Sequence, residues 1–331
     1  MQKAAGNDAA PCKIQKTSVI GDNIANGEKP ALINPQQHEF STDWYYLSKM
    51  KRLGYILLLL LFIANNAGAQ QYKLVSYLDI KVDSMGHMPR NPYVISLKNK
   101  NKQLIVIGTE HSRDTLNPMF KAIEDTFYSL KPQVIINEGG NLYKTYPSRN
   151  KAVSKDGELG LEKLLADKAG IKTQNGDEPD KMEFDELTAA FSKDEALLFF
   201  ASERFIFPFA FGQYSGELEA VYDSVFIKKY LDKEGVKLSP EERKFSYYTK
   251  IYKQYFHQDF SLDNINQLYF TPFSRKHHFN DVTRKSKELR DQYLLKRIAE
   301  TLKHHDRVLV VFGGWHVLAI EPALKQVMEE L

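Results

Sequence analysis

The chain has 331 residues, 43% hydrophobic and 26% charged, with a formal net charge of +3. That composition suits a globular protein with a real core and excludes collagen-like, coiled-coil and low-complexity architectures. Residues 1–69 hold seven Lys/Arg and five Asp/Glu, leaving 38 basic against 37 acidic side chains, too balanced for a nucleic-acid-binding face.

Residues 1–48 mix Gly, Asn, Pro, Gln and charges without periodicity and read as disordered. Lys49, Lys51 and Arg52 then precede an apolar run over 53–64, and Ala67-Gly68-Ala69 closes the stretch. A basic start, an apolar core of about 12 residues and an A-x-A end predict a secretory signal peptide over 50–69. Met50 would be the initiator, with residues 1–49 ahead of the true start. A spanning helix needs about 20 apolar residues, so this run is too short for an anchor. The expectation is a secreted or periplasmic protein that meets a membrane only through this transient segment. The lone cysteine, Cys12, precedes it, so the mature chain would have neither disulfide nor thiolate nucleophile.

Residues 70–331 suit a single α/β domain. Loose alternation predicts a strand over 74–82, and two strands over 93–97 and 103–107 flank the polar turn 98–102 as a hairpin. The second of these is apolar throughout, as a central strand covered on both faces should be. A helix is predicted over 118–130, with Phe120, Ile123, Phe127 and Leu130 on one side and Pro132 as its stop. There follow a strand over 134–136, a helix over 161–169 and a short strand over 171–173. This alternation points to a mostly parallel sheet with crossover helices. Residues 184–256 are helical by periodicity and rich in Phe and Tyr, within an insertion reaching about 285. The aromatic residues are expected to form that insertion's own small core. A long helix over 281–304, a strand over 307–312 and a closing helix over 318–330 complete the chain.

Three of these strands end alike. The first runs into Gly108-Thr109-Glu110-His111, the second into Asn137-Glu138-Gly139-Gly140, and the last into Gly313-Gly314-Trp315-His316. In open parallel sheets the ligand site lies outside the carboxyl ends of the strands, so the three tips should be neighbours. Asp177-Glu178-Pro179, after the short fourth strand, is a further acidic candidate. Two imidazoles and one or two carboxylates there could hold a divalent metal such as zinc, manganese or cobalt, which would activate a bound water. Without metal, one His could act as general base with Glu138 or Glu178 orienting it. His277, His278, His304 and His305 lie in a polar loop and at a basic helix end, and are read as structural or surface residues.

The pattern resembles the TraB/GumN (PrgY) family, relatives of the Tiki metalloproteases and, more remotely, of erythromycin esterase-like and ChaN-like proteins. The likeness spans roughly residues 103–331. It rests on the GxxH motif Gly108 to His111, Asn137-Glu138-Gly139, Glu178-Pro179, Arg290-Asp291 and the second GxxH motif Gly313 to His316. It implies an α/β fold with a helical insertion and a site made of His111, Glu138, Glu178, Arg290 and His316. In the Tiki-like branch it implies a metalloprotease-like hydrolase, with His111, His316 and Glu138 as metal ligands and with Glu138, Glu178 and Arg290 in catalysis. Trp315 departs from the Gly-x-Gly-His ending common in the family and should narrow the site.

The leading expectation is a divalent-metal-dependent hydrolase acting on peptide or amide bonds, with a peptide or small molecule as substrate. The alternatives are a metal-independent, esterase-like hydrolase with His as base, and a non-catalytic modulator that binds a peptide, haem or metal.

Overall fold

The computed structural model describes residues 72–81, 88, 90–140 and 142–331. The signal-peptide reading, the Met50 start and the segment before it lie outside these residues.

The sheet comprises β1 (Tyr93–Asn99), β2 (Lys102–Thr109), β3 (Val134–Asn137), β4 (Lys172–Asn175) and β5 (Arg307–Gly313), in the spatial order β1-β2-β5-β3-β4. β1 pairs antiparallel with β2 as a hairpin, and every other pairing is parallel. The fold is thus α/β, a mostly parallel sheet with flanking helices and an aromatic-rich helical region. Leu104, Val106, Val308, Leu309 and Val310 are fully buried because helices cover both faces of the central strands.

Helices α1 (Pro118–Leu130) and α2 (Arg149–Ala169) pack on one face through Phe120, Ile123, Phe127, Leu161 and Leu165. α1 has the limits its sequence signals predict. Asn117 caps it by accepting from the Met119 N–H at 2.9 Å, Pro118 takes the first turn, and Lys131 ends it in the left-handed region. α2 begins twelve residues before the predicted 161–169 helix, because two helical pieces join across a kink at Asp156 and Gly157. Gly157 has φ +58°, and a Cβ there would lie 2.6 Å from the Ser112 carbonyl oxygen. Only glycine lets the loop after β2 approach so closely.

The chain continues through α3 (Asp180–Ala190) and α4 (Lys193–Ala201), the latter running on into a π segment at Ser202–Ile206. A second π segment (Tyr222–Asp232) and α5 (Phe245–Phe256) complete this region. Its core is aromatic and its own, built from Phe184, Phe199, Phe200, Phe205, Tyr222, Phe226 and Tyr248. α6 (His278–His304) and α7 (Gly314–Glu329) then cover the second face of the sheet, through Leu294, Leu295, Ile298, Val317, Ile320 and Leu324.

Two boundaries differ from expectation in ways that matter. α7 starts at Gly314, not near 318, so β5 passes into it without a loop and His316 lies in the first helical turn. The described part of 74–82 is irregular chain, not a strand, for it lies across helices and not beside the sheet. Its backbone bonds go to α6 and α7: the Tyr72 N–H donates to Gln292 Oε1 at 3.0 Å and the Val75 N–H to the Ala319 carbonyl at 2.8 Å.

Candidate functional site

Register brings the three strand ends together. Thr109 pairs with Gly313, and Asn137 with Val311, so the tips of β2, β5 and β3 stand side by side. The two Gly-x-x-His turns touch through their glycines: a Cβ on Gly108 would lie 2.9 Å from the Gly314 Cα. A cavity of about 400 Å³ opens over this edge, and His111, Glu138, Gly313, Gly314, Trp315 and His316 all line it. His111, His316 and Glu138 are therefore brought to one site.

His316 is buried, and its Nδ1 lies 2.6 Å from Asp291 Oδ1. The Tyr77 hydroxyl donates to the other oxygen of Asp291 at 2.9 Å and stands 3.1 Å from the same His316 Nδ1. Burial first, then the Asp291 charge, holds the Tyr77 phenol well above its ordinary range, so it stays protonated. Asp291 accepts, so the imidazole Nδ1 carries a proton, and in the neutral ring Nε2 is the acceptor. The Cδ2 edge of the ring lies at Gly313, 3.6 Å from where a Cβ would stand, beside Glu138.

Glu138 is held from two directions. Its Oε1 accepts from Arg290 Nη2 at 2.8 Å and its Oε2 from the Gly313 N–H at 2.5 Å. Burial alone would raise its pKa, but Arg290, then His316, His111 and the Gly313 N–H, draw it well below the carboxylate range. Glu138 is therefore ionised. Gly313 itself is required here, since a Cβ would stand 2.7 Å from Glu138 Oε2.

Two other sequence candidates take different places. Arg290 does not line the cavity; it lies buried behind Glu138, with its Nε donating to Asp177 Oδ1 at 3.0 Å and its Nη2 shared between Asp177 and Glu138. It holds Glu138 from behind. Glu178 also lies outside the cavity lining, buried among Glu183, Glu186 and Lys296, with one carboxylate oxygen unpartnered. Burial and the two neighbouring glutamates push it up to about 7. Its neighbour Asp177 is the acid that meets Arg290. Gly176 is wedged against Ile136, Leu294 and Phe312, and Asn175 Oδ1 accepts from the Asp177 N–H at 3.0 Å, a turn that sends Asp177 toward Arg290.

His111 stands at the mouth, where the site meets a second cavity of about 500 Å³ lined by Ser112, Arg113, Gly157 and Glu158. Its Nδ1 pairs with Glu158, which raises the imidazole to about 9 against the opposing effect of burial, so His111 is protonated at neutral pH. Its side chain is 69% exposed, so solvent screens this pair more than the His316 contacts. One turn on, Glu162 is fully enclosed with both oxygens unpartnered. Burial and the Glu158 charge hold it far above the usual carboxylate range, which keeps it neutral.

Among the described residues no three His, Cys, Asp or Glu side chains form a set that could hold a metal ion. The expected set of His111, His316 and Glu138 shares a cavity but is not drawn together into such a group. Both Glu138 oxygens accept from Arg290 and Gly313, while each imidazole pairs with a carboxylate through Nδ1 and keeps its Nε2 outside that contact. The cation beside Glu138 is a guanidinium.

Trp315 packs edge-on against Phe273 with ring centroids 5.0 Å apart and forms one wall of the cavity. Of the other histidines, His277 caps α6 in a reciprocal box with Asn280, His278 pairs with Glu195, and His304 lies 3.2 Å from Glu300. Tyr77, Glu158 and Lys287 belong to the site or its support and do not stand out in the sequence. The nearest signal is the Glu158/Glu162 pair, four residues apart, readable once α2 is known to start early.

No family model matches the chain, and no curated protein is significantly similar to it.

Proposed function

We propose that the chain is an exported hydrolase of TraB/GumN-like type that cleaves a carboxylic-acid derivative, an ester, amide or peptide bond, with His316 as general base. The observation that carries this reading is the buried 2.6 Å contact between Asp291 and His316 Nδ1 at the floor of a cavity. Asp291 fixes one tautomer and stabilises the imidazolium that forms as Nε2 takes a proton from water. Glu138, ionised and held from behind by Arg290, orients that water. Gly314 and Trp315 line the cavity in the first turn of α7, where the helix dipole favours the negative charge developing on the attacked carbonyl oxygen. His111, protonated at neutral pH and set at the mouth, returns a proton to the leaving group. No step calls on a metal.

The test is hydrolysis of a panel of p-nitrophenyl esters and peptide p-nitroanilides by the full chain, with and without EDTA. Turnover is expected to survive EDTA and to fall by about 10²- to 10⁴-fold in His316→Ala, with the far-UV circular dichroism unchanged. Turnover that EDTA abolishes and manganese or cobalt restores would replace this reading with the metal-dependent one. Peptide binding without turnover on the panel would favour a non-catalytic modulator.

A further inference from the structure

The cavity contains one cation that the chemistry above does not use. Lys287 lines it together with His316, Glu138, Phe273 and Trp315. It sits one turn before Arg290 on α6, so both project to the same side of the helix. Their surroundings differ. Arg290 is buried behind Glu138 and satisfied by two carboxylates. Lys287, half-buried, has no hydrogen-bond or ion-pair partner among the described residues. The carboxylate nearest in effect is Glu203, on the same cavity wall, and it is not bonded to Lys287. Burial first, then Arg290, lowers the proton affinity of the amine; Glu203 opposes this in part, and no carboxylate is bonded to the ammonium. An ammonium so placed is stabilised by an anion that enters the cavity. The facing wall is apolar, made by Phe270, Pro272, Phe273 and Trp315.

We propose that Lys287 is a specificity-determining residue that pairs with a carboxylate of the substrate while the substrate's apolar part rests on Phe273 and Trp315. This rests on the hydrolase reading only in taking the cavity as the substrate site. It names a substrate class: an acyl group or peptide residue that carries a free carboxylate and a flat or branched apolar portion.

The full chain has two tryptophans, Trp44 and Trp315, so Trp44→Phe makes fluorescence report on the cavity wall alone. In that background phenylacetate and its neutral isostere phenylacetamide are titrated. Phenylacetate is expected to bind about tenfold or more tightly, and Lys287→Met to erase that preference while leaving phenylacetamide affinity unchanged. Lys287→Arg should retain it, and matching thermal melts exclude unfolding as the cause. Equal affinities in the wild type, a preference that persists in Lys287→Met, or no binding of either compound would overturn the proposal. A preference for phenylacetate in a protein that hydrolyses nothing on the ester and anilide panel removes the hydrolase reading and leaves Lys287 its role. Hydrolysis without any carboxylate preference does the reverse.

Discussion

The two Gly-x-x-His motifs are alike as strings of residues and unlike as places. Gly108 to His111 ends a strand in a loop whose imidazole is largely exposed and paired with Glu158 from α2. Gly313 to His316 ends a strand in a helix, and its imidazole is 7% exposed, between Asp291 and Tyr77. The difference begins in the backbone: a strand that runs straight into a helix brings its histidine round to the neighbouring helix, whereas a strand that runs into a loop leaves its histidine at the rim. Similar motifs therefore place two imidazoles in two environments, one at the rim beside Glu158 and one buried against Asp291. Separated roles of this kind are what acid–base catalysis needs from two titratable groups.

The comparison breaks most sharply at Asp291. Asp291→Asn preserves shape but offers Nδ1 a donor as readily as an acceptor, so turnover should fall by about 10²- to 10⁴-fold with little change in the melting temperature. An equal loss in Glu158→Gln would mean that the two histidines are not distinct in role. Glu158→Gln should instead act through pH. Glu158 raises His111 from its ordinary value of 6.5 to about 9, so the pair's favourable contribution is present below about 6.5 and is lost as pH rises through about 9. In Glu158→Gln the His111 resonance in an NMR titration should return toward 6.5, and the alkaline limb of the pH–rate profile should move down with it. A limb that stays in place would remove His111 from the proton-transfer steps.

Much of the fold was legible because its elements carry strong local signals. The unbroken apolar runs of β2, β3 and β5 mark strands covered on both faces, and Asn117-Pro118 and Pro132 bracket α1. The site was legible as far as those signals reach: His111, Glu138 and His316 follow directly from strand ends at the same sheet edge. What failed depends on the direction a backbone turns or on contacts across long stretches of chain. Glu178 and Asp177 are adjacent acids, and only the wedged Gly176 and the Asn175 turn decide which one meets Arg290. Gly313-Gly314 reads as a loop, yet Gly313 ends β5 and Gly314 opens α7, and the two glycines admit the close approach of Glu138 and of Gly108. Tyr77 reaches Asp291 across 214 positions of sequence, from a segment whose alternation imitates a strand while its bonds go to helices. The first turns of α2 are polar and broken by a positive-φ glycine, which hides both the helix and Glu158 on it.

The central claim is that Asp291 holds His316 with its proton on Nδ1 and leaves Nε2 free to accept one from water. Nitrogen-15 NMR of the ring-labelled full chain, with His316→Ala to assign the signals, measures this directly. The account predicts that neutral His316 is protonated at Nδ1 with an unprotonated Nε2, and that Asp291→Asn disturbs this tautomer. A wild-type His316 protonated at Nε2 would contradict it.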